Sequence, residues 1–156
     1  MKININQRFG ERQNFSTIDL ALHYFIKCML TKKEIKKIDT INVTLKKLKS
    51  AVGHQYEQLT VEQKFILYID LDRTESLYRI ISTLAHEMIH VKQMLSGRLQ
   101  IMNLNYVWKG KSYGIFPYRK LNRAQQIEKI PWETEAYNNQ DRYARDFFNY
   151  LYDEVA

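Results

Sequence analysis

The chain has 156 residues, of which 45% are hydrophobic and 26% charged, with a formal net charge of +7 and one cysteine. That balance excludes wholesale disorder and suits a single folded domain, residues 1–156, with its own core. A lone Cys28 excludes an internal disulfide framework, and no apolar run approaches the roughly 20 residues that span a bilayer.

Residues 1–15 are polar and mixed, and they predict an ordered arm or a short strand around Ile3 and Ile5. Ser16 or Thr17 can cap a helix running to about Lys33, with Ile18, Leu22, Phe25, Ile26 and Met29 on its inner side. Cys28 is expected in the core of that helix, and His23 as a partly buried structural residue. From Ile41 the period becomes two: Ile41, Val43 and Leu45 alternate with Asn42, Thr44 and Lys46, as in a half-buried strand. Gly53 to Leu59 predicts a turn and a short strand, with His54 a structural histidine, and Lys64 to Asp70 predicts a second clear strand. Antiparallel strands delivering the chain into a long helix point to an α+β fold.

That helix carries Leu84-Ala85-His86-Glu87-Met88-Ile89-His90, an H-E-x-x-H pattern. Two histidines four apart share a helix face about one turn from each other, so both imidazoles can reach one metal ion. Glu87 sits beside that face, where a carboxylate can act as a base toward water instead of ligating the metal. At about 100° per residue, Leu77, Ile80, Ile81, Leu84, Met88, Val91 and Leu95 form an apolar stripe. His86 and His90 lie opposite it with Arg79, Thr83 and Gln93, as the floor of a cleft would. Asp72, with Glu75 three residues later, predicts the N-terminal cap, and Gly97 the end.

Tyr106 to Tyr113 predicts a hairpin with Gly110 in a tight turn, and Gly114 to Ile130 reads as loop. Pro131 opens the last helix, to about Glu154, since proline is favoured in a first turn. On this helix Glu133 aligns with Tyr137, Gln140, Ala144, Phe147, Phe148 and Leu151, the side facing the core. Glu135 aligns with Asn139, Arg142, Asp146, Asn149 and Asp153, the solvent side. A carboxylate heading a buried stripe needs a partner, because an unpaired buried charge is costly. Glu133 is therefore the expected third metal ligand, and Glu135 an expected surface residue.

With these residues in view, the chain resembles zinc metallopeptidases of the gluzincin kind, in which the two motif histidines and a glutamate from a later helix bind zinc. Glu133-Thr134-Glu135-Ala136 matches the E-x-x-A that several such families carry there. Tyr137 stands where the family pattern often has Asp or Asn. His86 to Gln93, Trp108 to Lys111 and Pro131 to Tyr137 are similar to small SprT-like metallopeptidases encoded by tailed bacteriophages, over roughly residues 65–140. SprT-type sites use a third histidine, and none follows His90 here, so the glutamate-ligand version fits better.

The resemblance implies a zincin-like domain: a small antiparallel or mixed sheet packed on an N-terminal helix, the motif helix and a C-terminal helix. It implies Zn2+ held by His86, His90 and Glu133, Glu87 as general base, and a protein or peptide substrate. Tyr113, Tyr118 and Tyr137 are candidates by residue type for stabilising the oxyanion. No membrane association is expected, and the location expected is cytoplasmic, the host cytoplasm if the chain is phage-encoded. The alternatives are a non-proteolytic zinc-binding module, regulatory or DNA-associated, and more distantly an amidase acting on the cell wall. Retention of Glu87 favours an enzyme, since a structural site needs ligands and no base. Lys32, Lys33, Lys36, Lys37, Lys46, Lys47 and Lys49 predict a solvated basic surface with at most weak, salt-sensitive, non-specific affinity for nucleic acid.

Overall fold

The computed structural model describes residues 1–7, 15–49, 53–115 and 120–155. The order is β1 (Lys2–Gln7), α1 (Phe15–Met29), α2 (Lys32–Ile35), β2 (Ile38–Lys46), β3 (Gly53–Leu59), β4 (Phe65–Asp72) and α3 (Leu77–Leu95). There follow β5 (Leu99–Met102), β6 (Asn105–Trp108), β7 (Lys111–Gly114), α4 (Arg123–Lys129) and α5 (Pro131–Val155). The fold is α+β, with a four-stranded mixed sheet and a small three-stranded antiparallel one. Among the described residues no helix is long and apolar enough to cross a membrane.

The four-stranded sheet runs β1-β2-β4-β3, and only β3 is antiparallel to its neighbour. The expected antiparallel entry into the long helix is thus corrected: β2 and β4 are parallel neighbours. The reason is that residues 53–59, expected as a turn and a short strand, form a full edge strand that reverses the chain between them. Ile41, Val43 and Leu45 of β2 and Leu67, Ile69 and Leu71 of β4 are all buried. They share one core with Ile18, Leu22 and Phe25 of α1, Leu84 and Met88 of α3, and Phe147 of α5.

Several local expectations shift. α1 ends at Met29, because Thr31 caps a separate short helix: its hydroxyl accepts from the Glu34 N–H while the Glu34 carboxylate accepts from the Thr31 N–H at 2.8 Å. Cys28 and His23 are exposed, since the inner stripe of α1 leaves both positions facing outward. The cap of α3 is Ser76, whose hydroxyl accepts from the Arg79 N–H; Asp72 closes β4 and accepts from the Thr74 N–H and hydroxyl. The 114–130 stretch contains α4, capped reciprocally by Asn122 and Gln125. The His54 side chain and Tyr118 lie outside the described residues.

The small sheet is two tight hairpins in series. Asn103-Leu104 and Lys109-Gly110 both turn with positive φ, the geometry that matches the twist of paired strands. Its inner residues Leu99 and Trp108 pack with Ile130 and Trp132 into a second core, with the Tyr106 and Trp132 rings parallel at 5.3 Å. This core holds the small sheet against the start of α5, opposite the edge strand β3.

β3 in turn lies very close to α3. A Cβ on Gly53 would stand 2.5 Å from Thr83 Cγ2 and 2.9 Å from Glu87 Oε1, so only glycine fits between strand and helix. Gly53→Ala is expected to cost about 1–3 kcal/mol, the usual range for overpacking. Thr83→Ser, which removes the nearer methyl, should restore part of that loss when combined with it. Urea unfolding of the metal-free protein checks this, and a Gly53→Ala protein as stable as the parent would contradict the close approach.

Candidate metal centre

His86 and His90 sit one turn apart on α3, and Glu133 lies in the first turn of α5. The two helices pack directly against each other, and all three side chains are buried. The ring nitrogens His86 Nε2 and His90 Nε2 are 3.1 Å apart. Glu133 reaches both, Oε2 at 3.3 Å from His86 Nε2 and Oε1 at 3.4 Å from His90 Nε2. No other group of three or more His, Cys, Asp or Glu among the described residues is arranged so that it could hold a metal ion.

The opposite ring nitrogens determine which face each imidazole presents. His90 Nδ1 donates to Gln93 Oε1 at 2.9 Å, and His86 Nδ1 donates to Gln140 Oε1 at 2.8 Å. The Gln93 amide nitrogen donates to the Trp132 carbonyl at 3.0 Å, so its oxygen must face His90. An amide oxygen only accepts, so in the neutral ring the proton sits on Nδ1 and the lone pair on Nε2. Gln93 is fully buried and joins a histidine of α3 to the residue preceding Glu133 on α5.

Two imidazole nitrogens and the two oxygens of a carboxylate facing one another need a positive charge between them. In the metal-free protein the neighbouring charges supply it by protonation. Burial opposes the His90 imidazolium, but the hydrogen bond and charge of Glu133, with the charge of Glu87, push its pKa up to about 9. Burial likewise works against the Glu133 carboxylate, yet the hydrogen bonds and charges of His86 and His90 bring it down to about 2. A metal ion entering here would displace the His90 proton.

Glu87 is buried beside the three donors, with its Oε1 close to Gly53. All four side chains line an open cleft of about 1350 Å³. Of the three tyrosines considered by residue type, Tyr137 stands beside the donors, its ring 4.5 Å from that of His86. Tyr113 packs edge-on against Trp132 instead, at 5.5 Å. Glu135 is not brought to the histidines, but neither is it a plain surface residue. It is half-buried, ion-paired to Arg98 Nη1 at 2.6 Å and hydrogen-bonded by Gln93 at 3.3 Å. The pairing arises because Arg98, just past the end of α3, folds back towards α5. Gln140 and Gly53 were not singled out from the sequence as parts of the site. Gln140 carried a usable signal, since it lies seven residues after Glu133 and shares its helix face.

The two shifted groups form one pair, and their pH windows have opposite signs. The raised His90 contributes stability that is complete below its ordinary pKa of about 6.5 and is lost as pH rises through about 9. The depressed Glu133 contributes stability present above about 4.5 and lost as pH falls through about 2. The metal-free protein should therefore exceed Glu133→Gln most in thermal stability between pH values of about 4.5 and 6.5, with the margin shrinking towards pH 9. Melting curves in chelator across this range check it; a margin constant from neutral pH to 9 would contradict the pair.

Compared with protein-family models, with curated proteins and with solved structures, the chain matches none.

Proposed function

We propose that the chain is a zinc-dependent peptidase with a zincin-like fold, its zinc held by His86 Nε2, His90 Nε2 and the Glu133 carboxylate. The observation that carries this is the spacing of the donors. Tetrahedral zinc with bonds of about 2.0–2.1 Å sets its ligand atoms about 3.3 Å apart. The two imidazole nitrogens are 3.1 Å apart, and the Glu133 carboxylate meets them with separate oxygens, Oε2 at 3.3 Å from His86 and Oε1 at 3.4 Å from His90, so the three side chains close on one point with spacings near that value. Two imidazoles and one carboxylate are also a donor set that suits zinc. Three protein ligands beside an open cleft leave room for water and substrate, whereas structural zinc is closed by four.

A zinc ion held by His86, His90 and Glu133 would supply Lewis acidity, lowering the pKa of water and polarising a substrate carbonyl. Glu87, buried beside the donors, takes the proton of the attacking water and returns it to the leaving amine. Gly53 lets β3 approach the Glu87 carboxylate, which a side chain at that position would crowd. Gln93 and Gln140 keep each imidazole in the tautomer that ligation needs. We assign the oxyanion-stabilising role to Tyr137, because its ring stands 4.5 Å from that of His86 and burial, then the Glu133 charge, raise its phenol pKa. β3 is the outer strand of its sheet and passes the donors, which offers an extended peptide a backbone edge to pair with.

Three substitutions separate the roles. Glu87→Gln should keep stoichiometric zinc and lower peptide hydrolysis by roughly 10²–10⁴, the usual contribution of a general base. Glu133→Gln should weaken zinc binding by more than the roughly 10–100-fold typical of losing an outer-shell partner. Glu135→Gln should keep zinc and lose at most about 1 kcal/mol with its Arg98 pair. Elemental analysis, competitive zinc titration and cleavage of an unstructured protein check these. Zinc retained by Glu133→Gln and lost by Glu135→Gln would reverse the ligand assignment.

A further inference from the structure

We infer that the cleft binds a carboxylate of its substrate on the Tyr137 side of the donors, held by Arg123 with Arg79 beside it. This rests on the peptidase reading only for the identity of the ligand as a peptide.

Arg123 opens α4, and its guanidinium lies over the Tyr137 ring, 4.8 Å from the centroid. The Tyr137 ring itself touches His86, so Arg123 stands two ring contacts from a donor and lines the same cleft. Among the described residues Arg123 makes no ion pair. Stacking on an aromatic face fixes a guanidinium while leaving its in-plane N–H fork for a carboxylate.

Arg79 approaches from α3. It lies seven residues before His86, two turns along the same helix face and about 10 Å away along the axis. Its one ion pair is Nε to Glu75 Oε2 at 3.9 Å, between two exposed side chains, a contact of little strength. Both arginines line the cleft that holds the donors. Asp72 and Glu75 also line this cleft; Asp72 is engaged by Thr74, and Glu75 is the partner that a bound carboxylate displaces from Arg79.

The opposite end differs in chemistry. Beyond His90, a groove of about 500 Å³ between β3 and β5 has Leu59, Phe65, Met94 and Leu99 among its walls, with Glu57 and three glutamines beside them and no lysine or arginine among the described residues. An extended ligand crossing the donors therefore meets a partly apolar groove without lysine or arginine at one end and two guanidinium groups in the cleft on the other side. An acidic side chain and a free chain terminus both supply the carboxylate, and binding measurements separate them.

The test uses the zinc-loaded full chain carrying Glu87→Gln, so that turnover does not consume the probe. Three labelled peptides share an apolar first half. One has aspartate in its second half and an amidated end, one is neutral with a free carboxylate end, and one is neutral and amidated. At least one of the first two should bind about tenfold or more tighter than the third by fluorescence anisotropy. Whichever does so identifies the side chain or the terminus as the source. Adding Arg123→Gln should bring that ratio below about twofold with zinc content unchanged, and Arg79→Gln should lower it partway. Equal affinity for all three, no binding of any, or a preference that survives Arg123→Gln would overturn the inference. Failure of the unsubstituted protein to cleave any of the three contradicts the peptidase reading alone, because the preference is read from binding.

Discussion

Two imidazole nitrogens 3.1 Å apart, with a carboxylate against both, form a concentration of lone pairs that a folded chain holds only at a cost. Each atom is buried, so water screens little of the repulsion. Both histidines also commit their other nitrogen to a glutamine oxygen, which removes the simple escape of rotating the lone pair outward. A proton on His90 relieves the strain in part. A divalent cation at the centre of the three would relieve it fully, and the surrounding fold can be understood as the scaffold that keeps them together.

That scaffold has two halves. α3 is buried almost all round between Ile80 and Val91, with its apolar side in the main core and its histidine side against α5 and β3. α5 is anchored at its start by Trp132, clamped in the second core by Tyr106, Trp108 and Tyr113. Gln93 bridges the halves through His90 on one side and the Trp132 carbonyl on the other. Its acceptor is a neutral amide, as is that of Gln140. Neutral partners orient the imidazoles while adding less electron density than carboxylates would, which keeps a bound metal more acidic.

The helix phase of α3 and α5 was legible because both helices are long and strongly periodic. The phase separates Glu133 from Glu135, and the structure brings Glu133 and not Glu135 to the histidines. What phase alone does not show is the partner across a crossing. Glu135 is half-buried and paired with Arg98, which returns to it from just past the end of α3, a contact between residues 37 apart in sequence. Strand direction was hidden for a similar reason: β2 and β4 alternate alike whether parallel or antiparallel, and only the full length of β3 decides. Ser76 and Asp72 are both good caps by type, and which one serves depends on where β4 releases the chain. Gly53 gives no local signal, since it turns nothing and matters only for the space that α3 leaves it.

X-ray absorption spectroscopy of the zinc-loaded protein tests most directly whether His86, His90 and Glu133 form one three-ligand zinc site with an open position. Such a site should show four-coordinate zinc with nitrogen and oxygen neighbours at about 2.0–2.1 Å and the outer-shell scattering of two imidazoles. A sulfur neighbour at about 2.3 Å, which would implicate Cys28, or scattering without two imidazoles, would contradict it.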